Sequence, residues 1–127
     1  MRRSSTSKQP QCVIYFEPVK ATIGIEDFAR VDLRVGKVTV VSGVSGSSKL
    51  IKLSVDFGED ERIIFTGLAK WFKPDYFTGK LFVFVYNLEP KPMLGEESQG
   101  MLLAVDSSEG PKPVEAPEGA NPGEKIN

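Results

Sequence analysis

Between residues 30 and 106 the hydrophobic and polar positions mostly alternate with a period of two, which predicts strands rather than helices. "RVDLRVGKVTVV" (30–41) places Val31, Leu33 and Val35 on one face and Asp32 and Arg34 on the other. "KLIKLSVDFG" (49–58) turns Ile51, Leu53, Val55 and Phe57 inward, with Lys52, Ser54 and Asp56 opposite them. "GED" is a tight-turn signal, and "ERIIFTGL" (61–68) follows it as the third strand of a hairpin. "KLFVFVYNL" (80–88) and "GMLLAVD" (100–106) are near-continuous apolar runs, the pattern of strands covered on both faces.

Two short helical stretches interrupt the five strands. "GIEDFARV" opens with acids, which the positive end of a helix dipole favours. "GLAKWFKPDYFTGK" lies between the third and fourth strands, and Pro74 limits it to a turn or two. Phe72, Tyr76 and Phe77 there have the spacing to plug the end of a barrel. Five strands with a short helix between the third and fourth is the order of the OB-fold, an all-β, five-stranded barrel. Closure also protects strand edges that a short chain would otherwise expose. On pattern alone an SH3-like barrel or a small sandwich stays open.

The flanks read differently. Residues 1–22 carry Arg2, Arg3, Lys8 and Lys20 against Glu17, and are expected to be an N-terminal extension, largely solvated. No apolar run of signal-peptide length follows "MRRSSTSKQPQ"; its Arg/Ser-rich, acid-poor look is shared by organelle transit peptides, and a solvated start is the favoured reading. Within the extension, apolar "CVIYF" (12–16) is expected to pack on something. Residues 107–127 are rich in Pro, Gly and Glu, so composition alone reads them as irregular.

At 127 residues the chain fits one domain with one core. It has no histidine, which removes the usual neutral-pH base, the Ser-His and Cys-His nucleophile pairs and nearly every zinc site. Its one cysteine, Cys12, excludes an internal disulfide. No apolar run approaches the length of a membrane helix. No cofactor, metal or catalytic role is therefore expected; an enzyme would have to work with carboxylates such as Asp32 and Asp56, both of which sit in strand motifs. With a net charge of −1, any polyanion binding must come from a local patch.

One segment is too elaborate for a turn. "NLEPKPMLGEESQGMLLAV" (87–105) spends about a dozen residues where four would reverse the chain. Asn87 ends a strand, where its amide can donate and accept toward a sugar or base edge. Ser98 is expected to offer a hydroxyl on the loop rim. Met101 is a soft apolar contact for a base or ribose, and Gly95 and Gly100 permit close backbone approach. A purely structural role, with Asn87 as a strand cap and Met101 as core, is the competing reading.

Together "IEDFARVDLRVGKV", "KLIKLSVDFGEDERIIFTGLA", "GKLFVFVYNLEPKPMLGEESQGMLLAV" and "PGEKIN" resemble the tRNA-binding domain family over residues 23–127. That domain ends many bacterial methionyl-tRNA synthetases and also occurs alone. The resemblance implies a dimeric OB-fold that binds the outer corner of tRNA by shape, without catalysis, in the cytoplasm. It implies that Asn87, Ser98 and Met101 belong to the binding face and that residues after the last strand complete a homodimer interface. An aminoacyl-tRNA synthetase is a possible further partner, and no membrane is. A related branch of the fold is an export-type chaperone that binds unfolded polypeptide; "SQGM" favours the tRNA-binding branch.

For phosphate, the expected patch is Arg34, Lys37, Lys49, Lys52 and Lys91, with Arg34 and Lys52 on the polar faces of the first two strands. The acids of "GEDE" and "GEE" should border that patch rather than line it. Phe65, Trp71 and Tyr86 have apolar neighbours and read as core rather than as stacking platforms.

Overall fold

The computed structural model describes residues 18–127. In chain order it contains helix α1 (Ile25–Phe28), then strands β1 (Leu33–Gly43), β2 (Ile51–Asp56) and β3 (Glu61–Thr66). A 3-10 turn (Pro74–Tyr76) leads to β4 (Leu81–Val85), β5 (Lys91–Met93), β6 (Glu96–Ser98) and β7 (Met101–Leu102). Strands β8 (Ala104–Ser107), β9 (Gly110–Pro113) and β10 (Lys125–Ile126) complete the chain. The antiparallel order β3-β2-β1-β4-β7 bends round until β3 meets the segment just before β7. There the Gln99 N–H donates to the Ile63 carbonyl at 2.8 Å, closing a five-stranded barrel of the OB-fold. The apolar "CVIYF" stretch lies outside the described residues.

Period-two patterning accounts for the core. Ile51, Leu53 and Val55 of β2, Ile64 of β3, and Phe82 and Phe84 of β4 are all fully buried. Phe77, also fully buried, caps one end of the barrel, with the rings of Phe72, Tyr76 and Phe82 around it. Burying each such side chain contributes about 1.5–3 kcal/mol. Gly36 makes the tight coiling possible. A Cβ there would stand 2.5 Å from Val55 Cγ1 and 2.8 Å from Phe57 Cε1, so any side chain would split the wall from the core.

Three expectations need correction. On β1 the inward pleat carries Gly36 and Val38, and a bulge between Val38 and Val40 then resets the register. Val35 is buried on the other side of the sheet, and Val31 is exposed. The run "GMLLAVD" is two strands in different sheets, because β7 pairs with β4 while β8 folds back on β9. Finally, residues 107–127 are not irregular throughout. Their Val35 N–H···Glu124 and Gly123 N–H···Val35 bonds (2.9 and 2.8 Å) strap the C-terminus to the free edge of β1. Pro, Gly and Glu there suit a strap with one bonded edge, which needs no alternating pattern.

Candidate nucleic-acid interface

Two copies of one short pattern, "DLR" at 32–34 and "DER" at 60–62, meet at the end of the barrel opposite Phe77. In a strand, residues two apart share a face, so each aspartate lies beside its own arginine. Arg34 is held at 2.9 Å by Asp32, and Arg62 at 3.1 Å by Asp60. Both guanidinium groups lie over the Tyr86 ring, at 4.9 and 3.6 Å from its centroid. The Tyr86 hydroxyl donates to Asp60 at 2.8 Å, and the ring meets Phe57 edge-on. This stack stoppers the barrel mouth.

The titrations follow from these contacts. The hydrogen bond from Arg34 holds the Asp32 carboxyl below the ordinary carboxylate range. Partial burial pushes Asp60 upward, but the bonds from Tyr86 and Arg62 outweigh it and leave the group lowered. Burial first, and then the bond to Asp60, raise the Tyr86 phenol.

Asn87 follows directly. Its Nδ2 donates to the Arg30 carbonyl at 2.7 Å, and its Oδ1 accepts the Asp32 N–H at 2.8 Å. One amide therefore pins the segment leading out of α1 to the end of β4. Ser98 was expected on a loop rim, but it is 4% exposed. Its Oγ accepts the Phe65 N–H at 3.0 Å and donates to the Gly100 carbonyl at 3.1 Å. Gln99 Oε1 accepts the Ile63 N–H at 2.9 Å. Ser98 and Gln99 thus supply side-chain acceptors where the β3 edge lacks a full partner strand. Gly100 has φ of +155°, and a Cβ there would lie 2.9 Å from the Val85 carbonyl oxygen.

Between these anchors β5 and β6 form a hairpin whose turn residues, Leu94 and Gly95, both have positive φ (47° and 86°). That is the signature of the two-residue turns that match strand twist. Leu94 is an unusual occupant, apolar and 60% exposed at the tip. Lys52 on β2 bonds Glu96 of the hairpin at 2.8 Å and ties it to the barrel wall. Lys91 stands exposed across from Ser98, and Met101, 45% exposed, lies opposite Val85. A hollow of about 470 Å³ runs between Arg62, Tyr86, Asn87, Leu88, Glu89 and Gln99.

The structure therefore gathers Asn87, Ser98, Met101, Lys91 and Lys52 around one segment. It does not join Arg34 to Lys52: Arg34 takes the inward pleat at the mouth, whereas Lys52 alternates with the core residues of β2 and points out. Lys37 faces Asp56 at the far end of the β2 ladder from Lys52, and Lys49 precedes β2. Arg62, Asp60 and Gln99 were not anticipated as site residues. The doubled Asp-x-Arg spacing was their readable signal. Phe65 is buried as expected, but Tyr86 is the centre of a cation stack and Trp71 is 47% exposed. Among the described residues no cluster of three His, Cys, Asp or Glu is arranged for a metal ion, and no helix is long and apolar enough to cross a membrane.

The family described as "Putative tRNA binding domain" matches residues 33–125. The methionine–tRNA ligase of Chloroherpeton thalassium is 44% identical over 104 residues, covering 82% of this chain and 15% of the ligase. The chain thus spans about 15% of the length of the curated ligases it first matches. The crystal structure of a MetRS-related protein from Pyrococcus horikoshii superimposes with a TM-score of 0.80 at 37% identity, covering 84% of this chain and 99% of that one. The CsaA chaperone protein of Picrophilus torridus gives a TM-score of 0.77 at 28% identity, covering 84% and 100%.

Proposed function

The chain belongs to the tRNA-binding domain family, and on that premise we propose that it is a non-catalytic module that binds folded tRNA by shape, in the cytoplasm, alone or beside an aminoacyl-tRNA synthetase. The family match over residues 33–125 carries this reading. The geometry supports the segment 87–101 as part of the binding face. Met101 and Lys91 are exposed for direct contact, Lys37 and Lys49 add positive charge along the wall, and Lys52 serves the face by holding Glu96 of the hairpin. Asn87 and Ser98 have their hydrogen-bonding groups engaged internally, so they serve the face by fixing its shape. Arg34 serves in the same way through the Tyr86 stack.

A homodimer belongs to the same proposal. Helix α1 buries none of its residues, and Ile23, Ile25, Phe28 and Val31 are all exposed around it. Exposed apolar groups on and beside a four-residue helix favour a covering surface, and a second copy, with its C-terminal segment, is the occupant the family implies. Sedimentation should show a dimer that Ile25→Ser with Phe28→Ser converts to monomer.

The likeness to a chaperone makes unfolded polypeptide the competing ligand. Anisotropy of labelled tRNA, with a carboxymethylated unfolded protein as competitor, separates the two. Displacement of tRNA only by tRNA supports this proposal; binding of the polypeptide without tRNA refutes it.

A further inference from the structure

The cations around the 87–101 segment are largely spoken for. Arg34, Lys52 and Arg62 each hold a carboxylate within 3.1 Å. In the connection between β3 and β4 the balance is different. Lys70, Lys73 and Lys80 make no ion pair among the described residues, and Asp75 is the one acid of that stretch. Glu115, beside it, accepts a hydrogen bond from Tyr76 at 3.4 Å, and Glu109 pairs with Lys112 at 3.3 Å. The Ala69 N–H···Lys49 carbonyl bond (3.1 Å) brings Lys49 to the same edge.

An aromatic stands among these lysines. The Trp71 backbone N–H donates to the Leu68 carbonyl at 3.0 Å, and Lys70 Nζ lies 5.5 Å from the ring centroid. The indole rests on Gly110 of the β8–β9 hairpin, where φ is +116° and a Cβ would come within 2.6 Å of Nε1. Glycine there leaves room for the ring, which stays 47% exposed. Lys80 lies over the Tyr76 ring at 3.6 Å, which leaves Lys70, beside the indole, and Lys73, two residues along the chain, without a carboxylate. A supported, half-open indole with such lysines next to it in sequence has the two elements of nucleic-acid recognition, a stacking surface and phosphate ligands.

We propose that the β3–β4 connection is a second nucleic-acid contact, in which Lys70 and Lys73 take backbone phosphates and Trp71 stacks on an unpaired base. This deepens the reading above and rests on it. An acidic protein would satisfy the lysines alone and leave the indole without a planar partner.

Trp71 is the chain's single tryptophan, so its emission reports on this surface alone. Labelled tRNA should quench it saturably, in parallel with anisotropy. Lys70→Gln with Lys73→Gln should lower the slope of log K against log salt by about 1.5. Trp71→Ala should weaken binding about tenfold with the slope unchanged, the urea midpoint serving as the check on folding. If tRNA binds by anisotropy but leaves Trp71 emission unchanged, and the double lysine variant keeps the wild-type slope, this second contact is wrong and the tRNA reading stands. If polyglutamate quenches Trp71 and displaces tRNA equally well, the surface is a general polyanion site and the proposal fails. If wild type binds no tRNA, both readings fall.

Discussion

The Ser98 hydroxyl accepts the Phe65 N–H at 3.0 Å, and with the Gln99 side chain it supplements the single backbone bond from Gln99 to Ile63 that closes the barrel. Ser98→Ala leaves a buried N–H without a partner, at a cost of about 1–3 kcal/mol. Urea unfolding should show that loss as a lower midpoint with an unchanged slope. Gln99→Ala, at an exposed position, should cost less.

Asn87 uses both ends of its amide, so Asn87→Asp and Asn87→Ala should differ. Aspartate keeps the acceptor for the Asp32 N–H but sets a carboxylate against the Arg30 carbonyl, only 2.7 Å from the present nitrogen. We expect Asn87→Ala to cost about 1 kcal/mol and Asn87→Asp to be no better. Amide exchange at Asp32 should quicken in the alanine variant and stay slow in the aspartate one.

Leu94 holds a left-handed conformation that costs a branched L-residue about 1–2 kcal/mol. Leu94→Asn should therefore raise the thermal midpoint. If the exposed leucine touches RNA, the same variant should bind tRNA more weakly although it is more stable. Higher stability with unchanged affinity would remove Leu94 from the binding face.

Much of this was legible in the chain. Alternation at 51–57 marks the inward residues of β2 because a two-residue period has only one solution against a core. The β1 faces were not, because a bulge shifts the register beyond Val38 and Val35 is buried on the reverse side. Ser98 was misplaced for a related reason. A serine in a glycine-containing loop looks solvated, and only the position of β3, some thirty residues earlier, shows what its hydroxyl satisfies. The free lysines at 70 and 73 were visible as charges, but their lack of acidic partners is a property of the fold.

The Asp32–Arg34 pair gives a pH signature. The folded Asp32 carboxyl titrates below its ordinary 3.8, so the unfolded chain takes up the proton first. The pair's contribution is complete above the ordinary carboxylate range and is lost as pH falls through the lowered value. Because both side chains are part-exposed, at 28% and 26%, solvent screens the pair and its contribution is small. Asp32→Asn should unfold at lower urea than wild type at pH 6, and the gap should narrow below about pH 4. A gap that does not change with pH would assign the aspartate a purely steric role.

The central claim, that this chain binds folded tRNA, is tested most directly by titrating labelled intact tRNA with the full chain at several salt concentrations, with heat-unfolded tRNA and unfolded polypeptide as competitors. The account predicts saturable binding that weakens with salt and that neither competitor displaces efficiently. Equal competition by unfolded tRNA would contradict recognition of shape, and preference for unfolded polypeptide would contradict the assignment of the ligand.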